Sequence, residues 1–295
     1  MHQLRHLILF LLISLAGCHS KPDAPQAPLT DHSHMIDTSA VANEEADTSG
    51  LYSIQDTTAV AEFVVDTTNL TPEPNNPIKI LLEGLYHKEE VWKGAEDKQW
   101  FGLFDKNGSY ELRPTSLKVE PAFDPAVDAT RVTEEGSKLI SGRQVVGADT
   151  STMVFITGLT NIEPGTVDTA AFDKNVIPIN KEAVLSFKGK EYRIEAFGDS
   201  TLLETGDYSY KNYGWRISGP KKGRLLKQVL SKDEEFQQST YILYWAGDID
   251  RDGIPDLIAE LSNHYNTTRT ALFLSSKAEK GKLYKKVAVF DTKSK

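Results

Sequence analysis

From about residue 77 to the C-terminus, apolar and polar positions alternate in short runs broken by turn residues. Tyr192-Arg193-Ile194-Glu195 shows the pattern plainly: two apolar side chains alternate with two charges. Successive side chains of a strand point to opposite faces, so a period of two predicts half-buried β-strands. In QWFGLFDKNGSYELRP two such runs flank Asn107-Gly108, a pair that readily takes the positive φ values of a tight turn, and a hairpin is predicted there. Further strands are predicted at 153–159, 183–187, 191–198, 213–218, 239–247, 256–261, 270–276 and 283–290. Helical periodicity is scarce; GRLLKQVLSKDEEF (223–236) is the one stretch that fits either a short helix or another strand. The predicted class is all-β, mainly antiparallel, as a sandwich or barrel-like fold. Pro164-Gly165 interrupts the pattern and suggests an N-terminal β-region at 77–165 and a C-terminal one at 166–295, although two lobes of one sandwich would read the same way.

Upstream of residue 77 the pattern is different. Arg5 precedes an apolar run from Leu7 to Ala16, the layout of an export signal. At about ten residues the run is shorter than the roughly 20 that a membrane-spanning helix needs. Its end, Leu15-Ala16-Gly17-Cys18, resembles the lipobox of bacterial lipoproteins. The resemblance implies a signal peptide at 1–17, a diacylglyceryl group on the Cys18 sulfur, and Cys18 as the new N-terminus. The expected partner is then a membrane, reached through the lipid at Cys18. The expected location is the cell envelope, at the outer membrane and facing the periplasm or the surface. Cys18 is the only cysteine, so a lipidated chain has no thiol left for disulfides.

Residues 18–76 are rich in Pro, Thr, Ser, Ala and Asp, with ten acidic residues against Lys21 alone. Such a segment buries too little apolar surface to offset its ordering entropy, and like charges extend it. It is read as an acidic disordered tether. Within it Asp56-Thr57-Thr58 and Asp66-Thr67-Thr68 resemble short bacterial O-glycosylation sites, but three-residue matches arise readily and a plain solvated linker is the favoured reading.

The tether also changes the meaning of the net charge. It accounts for −9, the value carried by the whole chain, so the β-rich remainder is nearly neutral. Nucleic acid is not an expected partner. Inside that remainder, residues 77–210 carry 15 basic and 22 acidic groups, whereas 211–295 carry 16 and 10. A basic C-terminal part is compatible with an envelope protein or an anionic glycan as partner.

The densest chemistry lies in AGDIDRDGIPDLI. Counting from Asp248, carboxylates fall at the first, third, fifth and ninth positions (Asp248, Asp250, Asp252, Asp256), with Gly253 sixth and Ile254 seventh. Alternate carboxylates and one backbone carbonyl, from Ile254, can converge on a hard cation, and Gly253 permits the sharp turn. An EF-hand needs a bidentate Glu at position twelve; that position is Ala259, Glu260 comes one residue late, and the flanks read as strands. The spacing resembles the D-x-D-x-D-G-x-x-D calcium loop of integrin-α, FG-GAP and VCBS-type repeats. That resemblance implies structural Ca²⁺ held by Asp248, Asp250, Asp252, Ile254 and Asp256. It covers only about 240–290, and with no second such loop in the chain a propeller is disfavoured. The same stretch is similar to uncharacterised exported bacterial proteins, which implies a fold and no activity.

Catalytic readings are weaker. FGDSTLL resembles the nucleophile block of GDSL esterases, but the only histidine after Ser200 is His264, and Leu261 stands where the motif needs Asp. Gly198 to Ser200 is therefore read as a strand-end turn. His264-Tyr265 either lines a ligand site or sits in a turn with local hydrogen bonds, and GPKKGR (219–224) lacks phosphate-loop spacing. The sequence thus points to a lipid-anchored envelope protein with a calcium-stabilised β-rich module for binding or assembly. The alternative is an envelope hydrolase whose site is assembled from residues distant in sequence.

Overall fold

The computed structural model describes residues 63–65 and 74–293, apart from 150, 151, 161, 205, 207 and 238. Cys18, the signal segment and most of the tether, including both Asp-Thr-Thr motifs, lie outside the described residues. In chain order the strands are β1 (Phe63–Val65), β2 (Lys79–Leu81), β3 (Gly84–Tyr86), β4 (Trp100–Lys106), β5 (Ser109–Thr115), β6 (Leu117–Ala122), β7 (Lys138–Ile140), β8 (Gly142–Gly147), β9 (Thr152–Thr157) and β10 (Gly165–Val167). They continue with β11 (Ala171–Phe172), β12 (Glu182–Phe187), β13 (Lys190–Leu202), β14 (Tyr208–Lys221), β15 (Arg224–Lys232), β16 (Ile242–Gly247), β17 (Asp256–Glu260), β18 (Thr267–Leu274) and β19 (Lys285–Lys293). Among the described residues the only helix is a short 3₁₀ turn at Asp128–Thr130. The chain is all-β as expected.

Local signals behave as their chemistry dictates. Asn107 (φ 57°) and Gly108 (φ 87°) form the tight turn between β4 and β5. Lys188-Gly189 and Lys222-Gly223 make the β12–β13 and β14–β15 turns with the same pair of positive φ values, although lysine gives no such signal in sequence. The ambiguous stretch 223–236 supplies a strand, β15, paired to β14; Leu230 is buried and Leu226 packs on the core, while Leu225 and Val229 are exposed. Gly198 to Ser200 runs inside β13 at a β-bulge and not at a strand end.

β10, β5, β4, β9 and β2 form one five-stranded sheet in that order; β11 to β15 form a second, in sequence order; β16 to β19 form a four-stranded meander. β3, β8 and β6 make a small three-stranded sheet whose Leu117 and Val145 pack with residues of the first, and β1 runs parallel to β7. Every other strand pairing is antiparallel, and no sheet closes into a barrel.

The meander is the shared layer. Leu257, Ala259, Ala271 and Phe273 enter one core with Leu185, Ile194 and Trp215 of the second sheet. Ile258, Leu272, Leu274 and Phe290 enter another with Leu103, Leu112 and Phe155 of the first. A strand with one wet face alternates, whereas β17 is buried at all five positions because both of its faces are covered. One irregularity makes this possible in β16. A bulge at Tyr244 breaks the period of two, so Leu243 joins one core and Trp245 the other, while Tyr244 itself points out and is 42% exposed. The chain crosses between the outer sheets at 167–171, where Ala170 N–H donates to Ala246 O of β16 at 2.9 Å.

Candidate metal centre

The loop of 248–255 joins β16 to β17, and Gly247 opposite Asp256 is the last paired rung before it. Its tight course depends on two left-handed residues, Arg251 (φ 58°) and Gly253 (φ 83°). A non-glycine residue at the second would be strained. Arg251 is held in its conformation from outside, donating to Glu163 Oε2 at 2.7 Å and to Pro164 O at 2.9 Å. Asp248 N–H donates to Asp168 O at 2.9 Å, which fixes the entry to the loop.

Three of the predicted ligands converge. One carboxylate oxygen each from Asp248, Asp250 and Asp256 lie within 4.8 Å of one another. Asp256 is fully buried; its Oδ2 accepts Ile249 N–H at 2.9 Å and its Oδ1 accepts Ser275 N–H at 3.0 Å. Asp248, 4% exposed, accepts Gly253 N–H on Oδ2 at 3.0 Å, with Lys188 Nζ at 3.4 Å from the same atom. Asp250 Oδ2 accepts Ser276 Oγ. The remaining oxygens, Asp248 Oδ1 and Asp250 Oδ1, are buried and accept no hydrogen bond. A buried carboxylate oxygen without a donor is costly, so a positive charge beside this pair would be stabilising.

Electrostatics point the same way. Burial pushes the Asp256 carboxyl well above the ordinary carboxylate range, and the charge of Asp250 adds to it, against the bonds from Ser275 and Ile249. Asp250 is raised by burial and by Asp252 and Asp248, against the bond from Ser276. The nearest relief is Lys188, whose ammonium is held above its usual range chiefly by the hydrogen bond to Asp168, at 2.7 Å, and also by the charge of Asp248. With Lys188 partly exposed, in a surface turn, it neutralises the cluster only in part.

Asp252 stands outside this converging set of carboxylates. Asp252 is exposed and accepts Ile254 N–H on Oδ1 at 2.9 Å and Ser275 Oγ on Oδ2. The Ile254 side chain is buried in the core formed with the second sheet. Glu260, the residue nearest an EF-hand's closing Glu, is turned to other work: its Oε1 accepts Arg269 N–H at 2.6 Å and both the N–H and the hydroxyl of Ser262. Sequence reasoning missed Lys188, Asp168, Ser275 and Ser276. The two serines follow from strand register, since Leu257 pairs with Phe273 and the end of β18 must lie beside the start of β17.

The donor set is all oxygen and mostly carboxylate, which suits a hard cation and lacks the imidazole or thiolate that zinc prefers. The residues present therefore fit calcium: Asp248, Asp250 and Asp256 would hold it, with Asp252 and the Ile254 carbonyl within the same loop. The ion's charge would satisfy the two orphaned oxygens.

Two other sequence candidates, the Gly198–Ser200 and GPKKGR stretches, are structural in their contacts. Asp199, beside Ser200, accepts Asn212 Nδ2 at 3.0 Å. In GPKKGR, Lys221 is half-buried and donates to Ser275 O at 2.7 Å and Leu283 O at 2.9 Å, which ties the second sheet to the meander. Burial lowers its pKa, against the pull of the loop aspartates. Comparison with protein-family models, with curated proteins and with solved structures finds no match, so the reading of this loop rests on its own residues and geometry.

Proposed function

We propose that this chain is a lipid-anchored protein of the bacterial cell envelope whose β-rich body is a calcium-stabilised module for binding or assembly. The observation that carries the calcium part is the pair of buried, unpartnered oxygens, Asp248 Oδ1 and Asp250 Oδ1, in a cluster completed by the fully buried Asp256. The role is structural and not catalytic. Asp256 is bonded to backbone on both sides, from Ile249 and from Ser275, so an ion at the cluster clamps β16, β17 and β18 at one end. The lipid anchor is supported by Leu15-Ala16-Gly17-Cys18 at the end of the apolar run, and the acidic segment after it serves as a spacer from the membrane.

Two measurements on the full-length protein test the two halves of this reading. Thermal unfolding in calcium and in EGTA is expected to differ for the native chain and to coincide for Asp250→Ala. A native chain indifferent to both calcium and EGTA would remove the ion. Metabolic labelling with a palmitate analogue is expected to tag the native protein and not Cys18→Ser; an unlabelled, wholly soluble native protein would remove the anchor.

A further inference from the structure

At the end of the meander away from the metal loop, a groove of about 620 Å³ opens between the start of β14 and the edge formed by β16, β17 and the turn that follows β17. Its prominent side chains are Tyr208 and Tyr210 of β14, Tyr244 of β16, His264 and Tyr265 of the β17–β18 turn, and Glu260. Three of the tyrosines are exposed well beyond what packing requires: Tyr208 at 58%, Tyr265 at 65% and Tyr244 at 42%. The rings are organised. Tyr208 and Tyr210 lie nearly coplanar in direction, with 18° between ring planes at a centroid distance of 6.4 Å, and the His264 and Tyr265 rings stand 4.4 Å apart. Tyr244 is delivered to the groove by the bulge that sorts its neighbours Leu243 and Trp245 into the two cores. Bulges commonly re-aim a side chain at a site in this way.

The chemistry of the lining selects a ligand. Aromatic faces offer apolar platforms, and tyrosine adds a hydroxyl at the edge of each. Tyr208, Tyr244 and Tyr265, all exposed, bring three hydroxyls to the lining. Ser239, Thr240, Thr267 and Thr268 add further hydroxyls to the wall. His264 Nδ1 accepts Asn266 N–H at 3.3 Å, which leaves the proton of the neutral ring on Nε2 as a donor. Among the described lining residues there is no Lys or Arg, and the one carboxylate is Glu260, 5% exposed. Glu260 Oε2 accepts only Thr270 Oγ1, at 3.3 Å, and so retains acceptor capacity. A wall that accepts hydrogen bonds, stacks on flat apolar faces and holds one negative charge with no cation disfavours an anion. It fits a molecule with apolar C–H faces rimmed by hydroxyl groups. The volume lies within the roughly 300–1,000 Å³ of small-molecule sites. We propose that this groove binds a neutral oligosaccharide, with Tyr208 and Tyr265 as stacking platforms and Glu260 as an acceptor for sugar hydroxyls.

This proposal deepens the binding-module reading and rests on it, but it does not need the ion. The test is calorimetric titration of the full-length protein, in about 1 mM calcium and again in EGTA. The neutral probes are maltohexaose, cellohexaose, mannohexaose and chitin hexamer, and the anionic one is galacturonate hexamer. At least one neutral probe is expected to bind, and Tyr208→Ala and Tyr265→Ala, both at exposed positions, are each expected to weaken it about tenfold or more. Galacturonate hexamer is expected to bind at least tenfold more weakly. Absence of heat from all four neutral probes at about 10 mM overturns the proposal. So does binding left unchanged by both tyrosine replacements, or tighter binding of the galacturonate. A calcium-dependent melting temperature alongside silent titrations would leave the calcium reading standing while the groove proposal falls.

Discussion

Two of the places where the protein buries acidic side chains, the turn at Asp128 and the 248–256 loop, are handled in opposite ways. Asp128, 1% exposed, sits in the 3₁₀ turn between β6 and β7 and is surrounded by donors: Asp124 N–H at 2.9 Å, Ser141 N–H at 2.6 Å, Ser141 Oγ at 2.7 Å and Arg131 at 3.4 Å. Burial alone would raise its pKa, but these bonds outweigh it and hold the carboxyl below the ordinary range. In the 248–256 loop burial wins, Asp250 and Asp256 are raised, and two oxygens accept nothing. The same chain can therefore satisfy a buried carboxylate from within when it is to stand alone. The loop differs in leaving two carboxylate oxygens without a donor, and the proposed cation would supply the missing positive charge.

The contrast predicts different consequences of removal, and the largest is at Asp128. Asp128→Ala leaves two buried N–H groups and a buried hydroxyl without their acceptor, so a loss of about 3 kcal/mol or more is expected. Urea unfolding in calcium and in EGTA should give the same loss, because this site owes nothing to the ion. A cost below about 1 kcal/mol, or one that changed with calcium, would break the distinction between the two sites.

At the loop the expected effects are smaller and depend on conditions. For an extracellular-type affinity of roughly 0.1–1 mM, about 1 mM calcium adds about 0.4–1.4 kcal/mol, and Asp250→Asn should abolish that increment. In EGTA the same substitution is expected to be neutral or stabilising, since it removes one of several mutually repelling charges. Their pH dependences also have opposite signs. Asp250 and Asp256 have raised folded-state pKa values, so without metal their contribution is fully present below the ordinary carboxylate pKa of 3.8 and is lost as pH rises through the folded value. Asp128 is depressed, so its contribution is present above 3.8 and is lost as pH falls through its folded value. The calcium-induced shift in melting temperature should thus grow from pH 4 towards pH 7. A shift that is largest at pH 4 would mean the ion binds elsewhere.

How much of this was legible in sequence follows from how local each feature is. The β4–β5 hairpin, the four strands of the meander and the all-β class rest on nearest-neighbour patterns, and the structure reproduces them. The layering was not legible. Burial of β17 on both faces requires a second outer sheet that only tertiary structure supplies, and the bulge at Tyr244 defeats the period of two that strand reading depends on. Short strands such as β2 and β3, three residues each, lack the length for a pattern to declare itself. Of the metal loop, the spacing identified Asp248, Asp250 and Asp256, because a tight loop brings alternate residues together. Lys188 and Asp168 come from the β12–β13 turn and the crossing between sheets, and no local signal links them to the loop. The groove is the extreme case: its tyrosines come from 208, 210, 244 and 265, and no short window contains them together.

Lys188 gives the finest probe of the comparison, because among the described residues it is the cation that ion-pairs directly with the converging carboxylates. Its ammonium bridges Asp168 Oδ2 at 2.7 Å and Asp248 Oδ2 at 3.4 Å, and at 47% exposure its field is strongly screened by water. Lys188→Met removes a positive charge close to the position the orphaned oxygens define. Calcium should then bind more tightly, by roughly threefold or more, since a monovalent and a divalent cation repel by about 2 kcal/mol at about 4 Å in water and by less at greater separation. The gain should shrink as salt rises, since screening at about 0.1 M acts over about 10 Å. Equilibrium titration with calcium at low and at moderate salt measures it directly. Weaker calcium binding in Lys188→Met would mean that the bridge to Asp168 is needed to shape the loop, and that the lysine prepares the site for the ion instead of competing with it.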